Sequence, residues 1–316
     1  MVTIDTATLG ATTYKEIKEA RKEQQDWHQA GTKVALSIKD GVDQICQGQE
    51  NQQTQQERRV ILDWLTPINY ASQQSDFVAK REEGTGQWLL NSHKFQEWLT
   101  TNMQTLFCLG MLGASKTMIA SIVVDHLCTR FQSDACVGIA YIYCNFRRQY
   151  EQKPADLLAS LLKQLVQEQS SVPESVKSLY QRHESKRTRP SFGEISKVLH
   201  SVVAEYSRMF IIIDALDECQ VLNGGRRQFL SEIFSLQTKT RANLFTTSRF
   251  IPEITNDFQG SISLEIRASD QDMRRYLDGH ISRLPSFVLR SLDLQDEIKA
   301  EIIKAVDGMY VPSYAT

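Results

Sequence analysis

Eight residues carry the first chemistry: Gly110-Met111-Leu112-Gly113-Ala114-Ser115-Lys116-Thr117. Two glycines, a lysine and a hydroxyl at this spacing are the parts of a phosphate-binding loop. An apolar run precedes the segment and a helical stretch follows it, which is the setting such a loop needs. Backbone N–H groups there point at phosphate oxygens, and the helix N-terminus adds a favourable dipole. Gly110, Gly113, Ala114, Ser115, Lys116 and Thr117 are then the nucleotide-binding residues. Lys116 neutralises β- and γ-phosphate charge, and Thr117 offers its hydroxyl to Mg²⁺. One position departs from the pattern G-x-x-x-x-G-K-[ST], because Ser115 stands where glycine is expected. If that backbone is left-handed, serine costs roughly 1–2 kcal/mol there, and its Cβ crowds the phosphates. Taken alone, the segment could equally be a glycine-containing turn before a helix.

The second constellation is Phe210-Ile211-Ile212-Ile213-Asp214-Ala215-Leu216-Asp217-Glu218. A buried strand ending in a carboxylate puts Asp214 at the carboxyl edge of a sheet, where α/β proteins bind ligands. Asp214 would hold Mg²⁺ together with Thr117, and Asp217 or Glu218 would orient the attacking water. The third is Ala242-Asn243-Leu244-Phe245-Thr246-Thr247-Ser248-Arg249. An arginine at that edge can sense or stabilise γ-phosphate charge; its weight comes from its order after the other two.

The elements that must position these residues are legible as short apolar runs alternating with helical stretches. Runs at Leu106–Leu109, Val137–Cys144, Met209–Ile213, Leu244–Thr247 and Ile262–Ile266 suit parallel strands covered on both faces. Lys116–Arg130, Ala155–Gln167, Phe192–Tyr206 and Arg226–Leu236 read as the helices between them, with Ser191 and Glu194 as a capping box. The expected fold is α/β, a three-layer sandwich around a mostly parallel sheet.

Helical regions flank this core. Residues 1–59 are polar, with a capping box at Thr13-Tyr14-Lys15-Glu16. Tyr14, Ile17, Ala20 and Trp27 form a narrow apolar stripe, Ala30-Gly31-Thr32 a break, and Val34, Ile38, Val42 and Ile45 a second stripe. The Gln- and Asn-rich tract from Gln47 to Gln56 is either an exposed helix or a linker, with linker the preferred reading. Residues 60–104 are a helical linker: a short helix from Val60 stops at Thr66-Pro67, Gly84 and Gly86 mark a tight turn, and Phe95, Trp98 and Leu99 share a helix face. The nucleotide-binding domain is 105–268. A helical extension covers 269–316, with helices from Ser269 and from Leu294 to Val306.

Composition sets outer bounds. Of 316 residues, 41% are hydrophobic and 23% charged, which is ordinary for a globular chain, and the net charge of −2 gives no reason to expect nucleic acid or an anionic membrane as partner. The six cysteines contain no CxxC pair, so buried free thiols in a reducing compartment are expected rather than a zinc site. No signal peptide and no run of membrane-spanning length is present, which points to a cytoplasmic protein. Trp64, Trp88 and Trp98 could line a base pocket, but core anchoring is the better reading. Asn145, Arg147 and Arg148 face either phosphate, a partner or solvent, and Lys186-Arg187-Thr188-Arg189 reads as a solvated loop.

Leu106 to Arg249 resembles a NACHT domain of the STAND class of P-loop ATPases, with closest likeness to fungal-type NLR-like proteins that carry a nephrocystin-like N-terminal P-loop domain. The likeness rests on Cys108 to Thr117, on Tyr143-Cys144-Asn145-Phe146-Arg147-Arg148, on Ile213 to Cys219, on Thr247-Ser248-Arg249-Phe250, and on Ile61 to Leu65 and Gly84 to Leu89 upstream. It covers about Val60 to Val306. The resemblance implies a switch that binds ATP, or less readily GTP, with Mg²⁺ and hydrolyses it slowly. It also implies protein partners or self-association, with output from the N-terminal region. Two departures stand against it: Ser115, and the lack of the winged helix and repeats that usually follow. With the unusual end Tyr310-Val311-Pro312-Ser313-Tyr314-Ala315-Thr316, the second suggests a truncated or spliced product. The alternative is a hydrolysis-deficient domain of the same fold that serves as an interaction scaffold, or a truncated remnant.

Overall fold

The apolar runs form five strands in the computed structural model: β1 Thr105–Leu109, β2 Val137–Tyr143, β3 Arg208–Asp214, β4 Asn243–Ser248 and β5 Ile262–Glu265. All pair in parallel, in the order β2-β3-β4-β1-β5. β3 and β4 lie inside the sheet, and Met209 to Asp214 are all buried, as expected for strands covered on both faces. The structure describes residues 52–219, 224–267, 269–281 and 284–306, with scattered residues between 14 and 39. It divides the chain into two units, residues 1–60 and 61–316.

The helices are α1 (52–65), α2 (Tyr70–Ala79), α3 (Gln87–Leu90), α4 (His93–Thr100), α5 (Lys116–Arg130), α6 (Pro154–Glu168), α7 (Glu174–Glu184), α8 (Phe192–Val203), α9 (Gly225–Thr240), α10 (Pro252–Asp257), α11 (Asp270–His280), α12 (Ser286–Leu289) and α13 (Leu292–Val306). α5 packs on β2, β3 and β4 and against α2, while α6 joins β2 to α8 and α9. The result is the α/β sandwich the sequence leads one to expect, with a sheet that is parallel throughout its five strands.

Trp98 is the largest fully buried side chain. Its ring lies 5.4 Å from those of Phe95 and Phe210 and 5.8 Å from Phe245. Its Nε1–H donates to the Leu244 carbonyl at 3.0 Å, and its own carbonyl accepts from Asn243 Nδ2 at 2.7 Å. One residue therefore ties α4 to β3 and β4.

The outer edge of β2 has a local solution. Gln164 on α6 accepts from Tyr141 N–H at 3.0 Å and donates to Tyr141 C=O at 2.8 Å. The side-chain amide takes the place of a neighbouring strand at that residue and blunts the edge against further pairing.

Several expectations need correction. Residues 52–56, read as linker, are helical and continue into the helix that ends before Thr66-Pro67. α7 and α10 had not been read from the sequence, and α8 stops at Val203 rather than Tyr206. Arg189 is not an idle loop residue: Nη2 donates to Leu65 O at 2.9 Å, Nη1 donates to Trp64 O, and the guanidinium lies 5.8 Å from the Trp64 ring centroid. It thereby satisfies carbonyls at the C-terminus of α1. Cys108, Cys144 and Cys219 are buried, but Cys128 and Cys136 are exposed. Thr13, Glu16, Ile17, Ala30, Gly31, Val34, Ile38, Val42, Ile45, Cys46, the tract 47–51 and the end from Tyr310 to Thr316 lie outside the described residues. Tyr14 and Trp27 are described, helical and exposed. No described helix is long and apolar enough to cross a membrane.

The capping box of α8 is formed on both sides, with the Ser191 side chain and Glu194 each bonded to the other's backbone N–H. Ser191→Ala is expected to lower the thermal midpoint by roughly 2–4 °C. Calorimetry measures this; an unchanged midpoint would mean that α8 is held by packing alone.

Candidate functional site at the carboxyl edge of the sheet

β1 leads into Gly110, and the chain has no room for a side chain there: a Cβ would stand 2.9 Å from Ile266 O and 3.2 Å from the Ala114 Cβ. Gly113 turns the loop at φ +79°, a conformation glycine takes without steric cost. Ala114 is buried. Ser115 follows at φ +61°, ψ +28°, in the left-handed region, and makes no side-chain cap to α5. Its Oγ is buried and has no hydrogen-bond partner. The sequence expectation of a strained backbone at this residue is met.

Lys116 Nζ donates to the carbonyls of Gly110 at 3.0 Å and Met111 at 2.8 Å, so the lysine is folded back on its own loop. Burial lowers its pKa, while Asp217 and Asp214 act in the other direction. Thr117 Oγ1 donates to Asp214 Oδ2 at 2.6 Å. The loop and the end of β3, 97 residues apart in sequence, therefore meet at one oxygen pair.

Asp214 is held on its other side too. Thr247 Oγ1, at the end of β4, donates to Asp214 Oδ1 at 2.6 Å and accepts from Ala215 N–H at 2.9 Å. Ala215 takes φ +53° and turns the chain into a short 3₁₀ turn, Leu216–Glu218. That turn presents the two remaining acids differently. Asp217 is bound by Arg249: Oδ1 accepts from the backbone N–H at 3.0 Å and Oδ2 from Nε at 2.5 Å. Glu218 Oε2 accepts from Phe146 N–H at 3.0 Å, which anchors the 3₁₀ turn Phe146–Arg148 beside the site.

All the site residues named from the sequence thus lie along one sheet edge. The sequence reading missed two single residues and one cysteine pair. Thr247 is the second clamp on Asp214. Gln152 is buried and bonds Asn145 N–H at 2.9 Å, Tyr143 O at 2.8 Å and Tyr70 OH at 2.9 Å, fixing the strand-end loop. Cys144 and Cys219 share a hydrogen bond under the acidic turn, which together with burial pushes the Cys144 thiol well up. A polar residue ending a strand was the available signal for Thr247; the other two have none. Asn145 caps the turn by accepting from Arg147 N–H at 2.8 Å, and Arg148 pairs with Glu151 at 2.7 Å.

A cavity beside the loop is lined by residues including Arg81, Thr85, Trp88, Ser115, Met118 and Asp272. Of the three tryptophans considered, Trp88 alone faces it; Trp98 is core and Trp64 packs edge-on against Tyr180 at 5.2 Å. The turn before Trp88 needs both its glycines, at φ +81° for Gly84 and +79° for Gly86. It is held by α11: Asp272 Oδ2 accepts from Gly86 N–H at 3.2 Å, and Arg275 Nη1 donates to Gly84 O at 2.8 Å.

Thr117 and Asp214 are hard oxygen donors suited to Mg²⁺, which is commonly held by one or two carboxylates plus substrate phosphates. Among the described residues no group of three or more His, Cys, Asp or Glu is placed to hold a metal by itself. Burial raises the Asp214 pKa to about 6, against the lowering effect of its bonds from Thr117 and Thr247. An acid raised in this way destabilises the fold while ionised. The penalty is present above about pH 6 and fades as pH falls through that value towards the ordinary 3.8. Mg²⁺ binding at Asp214 would have the opposite dependence, because it would need the carboxylate. Its affinity is expected to fall about tenfold per pH unit below about pH 6. Mg²⁺ titrations across that range check this, and a flat profile would remove Asp214 from the metal site.

A parallel sheet in this strand order, with a phosphate-binding loop after β1 and a carboxylate at the end of β3, defines a P-loop NTPase fold. Residues 84–249, more than half of the chain, match the family described as Nephrocystin 3, N-terminal, and the chain belongs to that family. No curated protein matches the sequence. Among solved structures, similarity is found to a replication initiator, DnaA, bound to AMPPCP and single-stranded DNA, at 13% identity and TM-score 0.36, over 73% of this chain and 64% of that one. A Walker-type ATPase of Pyrococcus abyssi matches at 14% and 0.41, over 73% and 66%. Cdc6p from Pyrobaculum aerophilum matches at 14% and 0.41, over 64% and 50%. In each case this chain spans less than two thirds of the other protein's length. Similarities of this size leave function to the residues themselves, and the expectation that nucleic acid is not a partner gains no support from them.

Proposed function

We propose that this protein is a nucleotide-operated switch of the NACHT/STAND type, which binds ATP, and GTP less well, with Mg²⁺ and hydrolyses it slowly. The observation that supports this best is the 2.6 Å contact between Thr117 and Asp214 at the mouth of a glycine-turned loop. When bound, Mg²⁺ would neutralise charge on the β- and γ-phosphates. Thr117 and Asp214 would hold it, with Thr247 fixing the carboxylate. Lys116 exchanges its loop carbonyls for phosphate oxygens. Glu218, rather than Asp217, orients the attacking water, because both Asp217 oxygens are already taken by Arg249. Arg249 acts as γ-phosphate sensor through its terminal guanidinium nitrogens, with Nε still paired to Asp217. Asp272 and Arg275 of α11, which hold the turn before Trp88, carry a change at the loop into the rest of the helical extension 269–316. Residues 1–59 supply output to protein partners or to further copies of the chain, in the cytoplasm.

Phosphate release with Mg²⁺-ATP tests the hydrolytic part. Glu218→Gln is expected to lower turnover at least about tenfold with ATP affinity preserved, and Asp217→Asn to disturb Arg249 instead. Turnover that survives Lys116→Ala would contradict the assignment. A second reading, a scaffold of this fold without turnover, is favoured by Ser115 in its left-handed conformation. It leads to no Mg²⁺-dependent phosphate release and to partner binding that persists in Lys116→Ala.

A further inference from the structure

Ser115 is where the loop departs from its motif, and the departure costs the protein twice. Its backbone sits at φ +61°, ψ +28°, which glycine adopts freely and serine does not. Its Oγ is buried with no hydrogen-bond partner, and an unmade bond at a buried hydroxyl is penalised. Glycine at this position would remove both costs. Strain and unpaired polar atoms that persist together mark functional positions.

The location says what the missing partner is. Ser115 is the N-cap of α5, where the helix dipole and backbone N–H groups favour anionic oxygen. It also lines the cavity shared with Thr85, Trp88 and Met118. A serine hydroxyl has one proton to donate. We propose that Ser115 is a nucleotide-recognition residue whose Oγ–H donates to an acceptor oxygen where the phosphate chain meets the sugar, so that serine binds nucleotide more tightly here than glycine would. The acceptor is an oxygen either of the α-phosphate or of the ribose. This inference rests on the loop's being a nucleotide site.

The experiment compares wild type, Ser115→Gly and Ser115→Ala in two measurements. Without nucleotide, Ser115→Gly should melt above wild type, because it sheds both the strain and the buried hydroxyl. With Mg²⁺-ATP, both variants should bind roughly tenfold more weakly, the effect of one hydrogen bond to a charged acceptor. An equal loss with 2′,3′-dideoxy-ATP assigns the acceptor to the α-phosphate or the O5′ and O4′ oxygens beside it; a loss confined to ATP assigns it to a ribose hydroxyl. Ser115→Gly that binds ATP as tightly as wild type, or more tightly, overturns the inference and leaves the serine as strain alone. If all three proteins melt cooperatively and none binds nucleotide, the proposed function fails first and the inference with it.

Discussion

Trp98→Ala is expected to destabilise the unit of residues 61–316 by about 3–5 kcal/mol, the range for removing a large aromatic from a packed core. Trp98 has no solvent exposure. It is packed among Phe95, Phe210 and Phe245, so the surrounding rings come from one helix and two interior strands and have little freedom to close the void. The substitution also removes the bond from the indole N–H to the Leu244 carbonyl at 3.0 Å. Trp98→Phe keeps most of the volume and loses that bond, and should cost about 1–3 kcal/mol. Urea unfolding followed by circular dichroism separates the two. Similar midpoints for both variants would mean that the hydrogen bond dominates and that the ring contributes little.

Lys116→Ala should weaken Mg²⁺-ATP binding by about 100-fold or more, because it removes a charge partner from a partly buried site. The nucleotide-free protein should be little affected. Nζ bonds only to two carbonyls of its own loop, and burial already disfavours its charged form. The two halves of this expectation protect each other, since binding lost with an unchanged thermal midpoint cannot be blamed on unfolding. A variant that binds normally would place the phosphates somewhere other than the loop.

The strands were legible because each is a short apolar run bounded by polar residues, and the limits of α5 because the loop motif fixes where a helix must start. Asp214 could be placed at the sheet edge for the same reason. α7 was missed because only Val176 and Leu179 are buried along its eleven residues, too thin a stripe to register as periodicity. The linker reading of residues 52–56 failed because glutamine is a good helix former and the tract is continuous with the apolar turn that follows.

At the site, residue types were readable and partnerships were not. Asp217 and Glu218 are adjacent and alike in sequence, yet one binds Arg249 and the other Phe146 N–H. That difference comes from the left-handed turn at Ala215 and the register that sets β4 beside β3. The contact of Asp272 with Gly86 crosses 186 residues, and nothing local in either segment announces it. Trp64, Trp88 and Trp98 are equivalent as letters; the fold sends one to the core, one against Tyr180 and one to the cavity.

Calorimetric titration of the wild-type protein with ATP in the presence of Mg²⁺ decides whether the carboxyl edge of this sheet is a nucleotide site. The expected result is saturable binding to a single site, weakened when Mg²⁺ is withheld and tighter for ATP than for GTP. A cooperatively folded protein that gives no heat with either nucleotide, in wild type and in Ser115→Gly alike, would contradict it.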